Sequence, residues 1–199
     1  VCGETEALEM LPLDKVSAAV KAACAAGQVG VLQELLLLLS DGSANGGGGG
    51  GGSGGVASLP ARAAEARRVV VEDYYPLFTA ASNGREGIVE VLLGMEGVDV
   101  NHGDPCTGAT PLYMACQEGH EGVVRLLLAH AATDVNQART DDGSTPLFIA
   151  CLDNHLDVVE RLLAHPATDV NQVNKKNVTP LNMAADKGHL AVVEVLLEK

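Results

Sequence analysis

Four short phrases recur along this chain at nearly constant pitch, and their recurrence limits its possible folds more than any other feature. Tyr75-Pro76-Leu77-Phe78, Thr110-Pro111-Leu112-Tyr113, Thr145-Pro146-Leu147-Phe148 and Thr179-Pro180-Leu181-Asn182 have prolines 35, 35 and 34 residues apart. Behind each comes Ala with Ala or Cys, then Gly or Asn followed by Arg or His, then an apolar run. Those runs are Ile88–Leu93, Val123–Leu128, Val158–Leu163 and Val192–Leu197. The first three units close on Asp99-Val100-Asn101, Asp134-Val135-Asn136 and Asp169-Val170-Asn171. A period of this length marks stacked supersecondary units.

Each unit reads physically. Thr caps a helix and Pro occupies its first position, where a missing N–H costs nothing. A helix of about ten residues follows, with Ala for close packing. It stops at Gly84, Gly119, Asn154 or Gly188, residue types that accept the left-handed backbone needed there. A second helix buries its Val and Leu face. Asp-Val-Asn then leads into a polar finger that returns to the next Thr-Pro. Two short helices and a finger cannot bury their own apolar faces, so neighbouring units must stack.

A weaker copy lies upstream, with Val20–Gly27 as first helix and stop and Val31–Leu37 as second helix. Gly27 and Gly84 are 57 residues apart, about 22 more than one unit. The surplus holds ten of the 23 glycines, between Gly42 and Gly55, and then an Ala/Arg segment, 58–71, that can form a short helix. The Gly/Ser part is expected to be flexible. The resulting layout is an N-terminal tail (1–14), a degenerate unit (15–39), the insertion (40–71) and four units at 72–104, 105–139, 140–173 and 174–199.

Thr-Pro-Leu-x-x-Ala-(Ala/Cys)-x-x-Gly-His, followed by Val-Val-x-x-Leu-Leu and Asp-Val-Asn, resembles the ankyrin repeat family, strongly over 72–199 and weakly over 15–39. The resemblance implies an all-α solenoid of helix-turn-helix repeats with short β-hairpin or loop fingers. The His usual after Thr-Pro-Leu is Phe78, Tyr113, Phe148 and Asn182 here, so packing is expected to replace the family's His–Thr hydrogen bonds. The loops before Asp-Val-Asn are one or two residues longer than usual. The resemblance also implies protein recognition on a concave face made by finger tips and first helices. Candidate contact residues there are Tyr74, Gln117, Glu118, Asp141, Asp142, Leu152, Asp153, Lys175, Lys176 and Lys187. Asp141, Asp142 and Asp153 suit a basic patch on a partner, although an unused solvated face fits the same charges. In this family the Leu…Asp-Val-Asn arrangement also resembles a target of asparagine-hydroxylating dioxygenases, at Asn101, Asn136 and Asn171; a purely structural role in the finger is the competing reading.

Composition narrows the function further. With 26 Asp and Glu against 13 Lys and Arg, the net charge of −13 disfavours a nucleic-acid binder or docking on anionic membranes. Hydrophobics reach 47% but aromatics only 3%, so the core must be aliphatic. Five cysteines without metal or disulfide spacing, and acidic residues in the first twenty, point to an intracellular, cytoplasmic setting, with the nucleus open. Cys24, Cys116 and Cys151 fall on the small buried position beside Ala, whereas Cys106 falls at a finger tip.

No cofactor, metal or small-molecule substrate is expected. Gly51-Gly52-Ser53-Gly54-Gly55 matches a serine-hydrolase pattern but lacks the strand and helix that motif requires. His120, His155 and His189 recur one unit apart, about 8–10 Å by helix packing, too far to share one zinc ion; they are expected to fix the turn between helices. His130 and His165 are expected to complement the negative end of the second helix. The chain begins at Val1 and ends in an apolar helical pattern, with Val192, Val193, Val195, Leu196 and Leu197 expected to be exposed and to imply further repeats or another domain. The function that follows is protein–protein recognition by a non-enzymatic scaffold. The rival is a targeting segment of a larger enzyme, such as a kinase or ubiquitin-ligase subunit.

Overall fold

The computed structural model describes residues 13–39, 76–95 and 97–199, and the chain forms two compact units, Val1–Pro76 and Leu77–Lys199. In the first unit, α1 (Leu13–Ala26) and α2 (Val29–Leu39) pack together. Gly27, at φ 72°, turns the chain between them. Val20, Ala23, Cys24, Leu32 and Leu35 fill their seam, which gives the degenerate unit its two helices. Most of the N-terminal tail, the whole insertion and Tyr74 lie outside the described residues.

The second unit contains four helix pairs. The first helices are α3 (Pro76–Ser82), α5 (Pro111–Gln117), α7 (Pro146–Leu152) and α9 (Pro180–Lys187). The second helices are α4 (Glu86–Leu93), α6 (Glu121–Ala129), α8 (Leu156–Leu163) and α10 (Leu190–Leu197). First helices run to seven or eight residues rather than ten, because both ends are fixed chemically. At the start, the hydroxyls of Thr110, Thr145 and Thr179 accept from the backbone N–H of Tyr113, Phe148 and Asn182, each at 3.1 Å. At the end, Gly84, Gly119, Asn154 and Gly188 sit at φ 65°, 73°, 62° and 74°, a conformation that halts an α-helix.

Helices α5, α7 and α9 lie side by side, and α4, α6, α8 and α10 form a parallel second row. Small buried residues let the first helices approach: Ala80 and Ala81, Ala115 and Cys116, Ala150 and Cys151, and Ala184. The second helices bury Ile88, Val89 and Leu92, then Val123, Val124 and Leu127, then Val158, Val159 and Leu162, then Val192 and Leu196. Each Leu or Val removed from water in this way contributes about 1.5–3 kcal/mol. Tyr113 and Phe148 are buried at the position where the family usually has His, so packing does replace that bond there; Asn182 is exposed. The expected exposure of α10 needs correction. Val192 and Leu196 face inward, while Leu190 and Leu197 are the exposed large side chains.

The fingers are loops, and no β-strand occurs among the described residues. Each is closed by a backbone bond, from Asp104 N to Ala109 O (2.9 Å), Arg139 N to Ser144 O (3.0 Å) and Asn174 N to Val178 O (3.1 Å). Side-chain oxygens take the neighbouring donors that a ladder would need. Asp104 Oδ2 accepts from the backbone N–H of Cys106 and Thr107, and Asn174 Oδ1 from those of Lys176 and Val178. The longer loops before Asp-Val-Asn close on Thr133 and Thr168, whose hydroxyls donate to Leu127 O and Leu162 O at 2.6 Å.

Candidate functional site

The second unit is held together by two recurring polar contacts between adjacent repeats. The first is made by the histidine directly before α6, α8 and α10. Nε2 of His120, His155 and His189 lies 3.1, 2.9 and 3.0 Å from the carbonyl oxygens of Ser82, Gln117 and Leu152 in the preceding repeat. His120 and His155 lie over Gly84 and Gly119, where an added Cβ would meet their rings at 2.8 and 2.6 Å. These histidines therefore tie repeat to repeat, beyond the local turn-fixing expected of them.

The second contact is made by the asparagine of Asp-Val-Asn. Nδ2 of Asn101 donates to Ala132 O and that of Asn136 to Ala167 O, both at 2.7 Å. Their Oδ1 atoms accept from Asp134 N and Asp169 N at 2.8 Å. Asp99, Asp134 and Asp169 hold the three asparagine backbones, each accepting the Asn N–H at 3.0 Å. Among the described residues, the Asn171 side chain has no inter-repeat partner. Two ion pairs add to the second-helix row, Glu86 with Arg125 and Glu121 with Arg161; exposed pairs of this kind contribute about 0–1 kcal/mol each.

Finger tips and first-helix ends form the candidate binding face. Its acidic residues differ in how far they are committed. The carboxylate of Asp141 accepts from the Arg139 guanidinium and from Asp142 N. Asp142 accepts from Ser144 N and Ser144 Oγ, both at 2.9 Å. Partial burial pushes the Asp142 carboxyl up, but Ser144 and Arg139 outweigh it and hold the group below its ordinary value. Arg139 also lies over the Tyr113 ring, 5.3 Å from its centroid, and its Nε is buried without a hydrogen-bond partner among the described residues. Asp141 and Asp142 are thus parts of a finger brace.

Asp153 and Glu118 are different. They cap the C-termini of α7 and α5, where the helix carbonyls repel a negative charge. Partial burial, aided by the charge of Glu118, raises the Asp153 carboxyl above its ordinary value, against the pull of His155 and His189. Glu118 accepts from Gln117 Nε2 at 3.0 Å. Leu152 is half-buried beside this pair, and Lys176 and Lys187 are exposed. Lys175 lies against its neighbouring finger, its backbone N–H donating to Asp142 O (2.9 Å) and its ammonium to Thr140 O. The brace joins Tyr113 to Arg139 across 26 residues, and no pattern in the sequence announces it.

Among the described residues, three of the four thiols are buried in the packing. Burial pushes the thiol of Cys24 up to about 11 and that of Cys151 to about 12, and it raises Cys116 as well. Such thiols are poor nucleophiles. Cys106 is exposed on its finger. His130 and His165 follow the ends of α6 and α8, their Nδ1 atoms 3.4 Å from Ala132 N and Ala167 N. No helix among the described residues is long and apolar enough to cross a membrane.

The repeat geometry agrees with the comparison to known families. The model for ankyrin repeats, three copies in length, matches residues 20–139 and 133–199. No curated protein matches the chain significantly. The match, the Thr-Pro caps, the left-handed helix ends and the inter-repeat histidines together establish that this chain belongs to the ankyrin repeat family.

Proposed function

We propose that this chain is a protein-recognition scaffold, and that the face made by its fingers and first helices binds a partner carrying a basic patch opposite Glu118 and Asp153. Ankyrin repeats are in general protein–protein interaction modules and typically non-catalytic. The observation that carries the finer reading is the placement of Asp153. It ends α7 with a charge disfavoured by the helix dipole, partial burial and a neighbouring glutamate. A cationic partner would offset the repulsion from the helix end and from Glu118. Leu152 supplies an apolar contact beside the pair, and the braced finger carrying Asp141 supports it from the same repeat.

The test is retention of lysate proteins on the immobilised chain, compared with Glu118→Lys/Asp153→Lys. Asp141 and Asp142 are left intact, because reversing them breaks the bonds to Arg139 and Ser144 and confuses binding with folding. A protein retained by the native chain, released by moderate salt and lost with the double variant supports the reading. Equal retention by both, with both folded, overturns it. Among the three asparagines proposed as hydroxylation targets, Asn171 is the one to examine first by mass spectrometry, since the amides of Asn101 and Asn136 are engaged between repeats.

A further inference from the structure

We infer that Asn83 is a self-modification site, whose deamidation through the Gly84 nitrogen is gated by His120 of the next repeat. Asparagine reacts in this way most readily before glycine, which leaves the attacking N–H unhindered. The chain has two such pairs, Asn45-Gly46 and Asn83-Gly84, and the first lies outside the described residues. Asn83 is exposed. The junction itself demands the reactive neighbour: Gly84 sits at φ 65°, and a Cβ there would meet the His120 ring at 2.8 Å. The same ring holds Ser82 O, 3.1 Å from Nε2. His120 therefore grips the residues on both sides of Asn83. At the later junctions the residue between the same two positions is Glu118 or Asp153, and neither has an amide to lose.

In the reaction, the Gly84 nitrogen bonds to the side-chain carbonyl carbon of Asn83, and Nδ2 departs as ammonia carrying the Gly84 proton. Water then opens the cyclic imide at either carbonyl, leaving aspartate or isoaspartate at position 83. The folded junction opposes the first step. Gly84 N–H donates to Ala81 O at 3.2 Å and Arg85 N–H to Ala80 O at 2.9 Å, while Asn83 Nδ2 donates to Thr79 O at 2.7 Å. Nucleophile and leaving group are both engaged elsewhere, and this helix end must open before they meet in a reactive geometry. Either product then keeps the junction loose. A carboxylate has no proton to donate to Thr79 O. Isoaspartate adds a methylene to the main chain between Ser82 O and Gly84, which one His120 ring then fails to span.

The full chain is incubated at mildly alkaline pH, folded and in guanidinium chloride. Tryptic fragment 69–85, which contains Asn83 but not Asn45, is followed by mass spectrometry for conversion of amide to acid. Conversion is expected in denaturant and slower by at least about tenfold in the folded chain, the scale of two or three helix-end hydrogen bonds. His120→Ala should speed the folded reaction about fivefold and leave the denatured rate unchanged. If that variant does not fold, His120→Gln, which keeps a donor but no ring, should give a smaller rise. Thr145→Ala weakens the stack one repeat further on and should leave the rate near that of the unaltered chain. No conversion in denaturant, equal rates folded and denatured, no response to the His120 change, or equal acceleration by the Thr145 change would each overturn the inference.

Discussion

Replacing Asn136 by Ala tests whether the asparagine contacts bind repeats together or merely accompany their stacking. The change removes two hydrogen bonds, Nδ2 to Ala167 O at 2.7 Å and Asp169 N to Oδ1 at 2.8 Å. It spares the bond from the backbone N–H of residue 136 to Asp134 and touches no apolar contact of the core. Both freed backbone groups lie near the surface, where water can take over, so each bond falls toward the low end of the usual 0.5–1.5 kcal/mol. The expected loss is about 1–2 kcal/mol, or a fall in Tm of roughly 3–6 °C for a chain of this size. Thermal melting by circular dichroism reads the total, and hydrogen exchange places it, with protection lost chiefly in α9 and α10. Asn171→Ala is the internal control: the same side chain, in the same turn, with no neighbour to clamp. If the two variants melt together, the clamp contributes nothing, and stacking rests on the apolar rows and histidines alone.

Thr145→Ala removes a buried cap that serves Phe148 N; a loss of about 1–2 kcal/mol in urea unfolding is expected. Gly119→Ala should destabilise more than Gly188→Ala. Both force alanine into a left-handed backbone, at a cost of about 1 kcal/mol or more, but only at Gly119 does the new methyl meet the His155 ring; equal melting shifts would refute that contact. Gly122→Ala, in α6, gains about 0.5–1 kcal/mol of helix propensity while its methyl displaces only the flexible carboxylate end of Glu86. A net rise in Tm is expected, and a fall would show that the Glu86–Arg125 pair matters more than exposed pairs usually do. Asp153 has a folded pKa raised above its unfolded value, so its ionisation costs stability once pH exceeds the unfolded value of about 3.9. Asp153→Asn should therefore be slightly more stable than the native chain at pH 7, with the difference vanishing near pH 3. Asp104 and Asp142 act in the opposite sense: with lowered folded values, they stabilise above the unfolded pKa and lose that contribution as pH falls through the folded one.

The helices were legible because their signals are local. Thr before Pro (Tyr75 in the first unit), and Gly or Asn nine residues after it, bracket each first helix within a dozen residues, and the Val-Val (Ile88-Val89 in the first unit) and Leu-Leu pairs mark the buried stripe of each second helix. The junctions were legible only in part. His120, His155 and His189 stood out by recurrence, but their partners are backbone carbonyls 37 or 38 residues away, and carbonyls carry no sequence signature. The asparagine clamps had a partial signal, the repeated Asp-Val-Asn, which indicated a structural role without naming the partner. The binding face was the least legible. Asp141, Asp142 and Asp153 read alike in the sequence, yet the first two brace a finger while the third ends a helix. For Asp142 a clue was available, since Asp-x-Ser commonly folds its carboxylate back onto the backbone. For Asp141 there was none, because Arg139 is brought to it by the finger's own turn.

The sameness of the junctions also bears on how such a chain changes length over generations. Deleting residues 140–173 would carry His189 onto Gly119 and the carbonyl of Gln117, and Thr179 would still cap its helix. Duplicating a repeat would likewise meet receptors already in place. Gene-level gain or loss in steps of one repeat therefore requires no compensating substitutions at the new joint. A shift of a few residues inside a repeat would displace one histidine from its carbonyl, while the other pairs keep their own spacing. Whole-repeat changes leave no such misfit joint, and the residues between the junctions are left free to diverge.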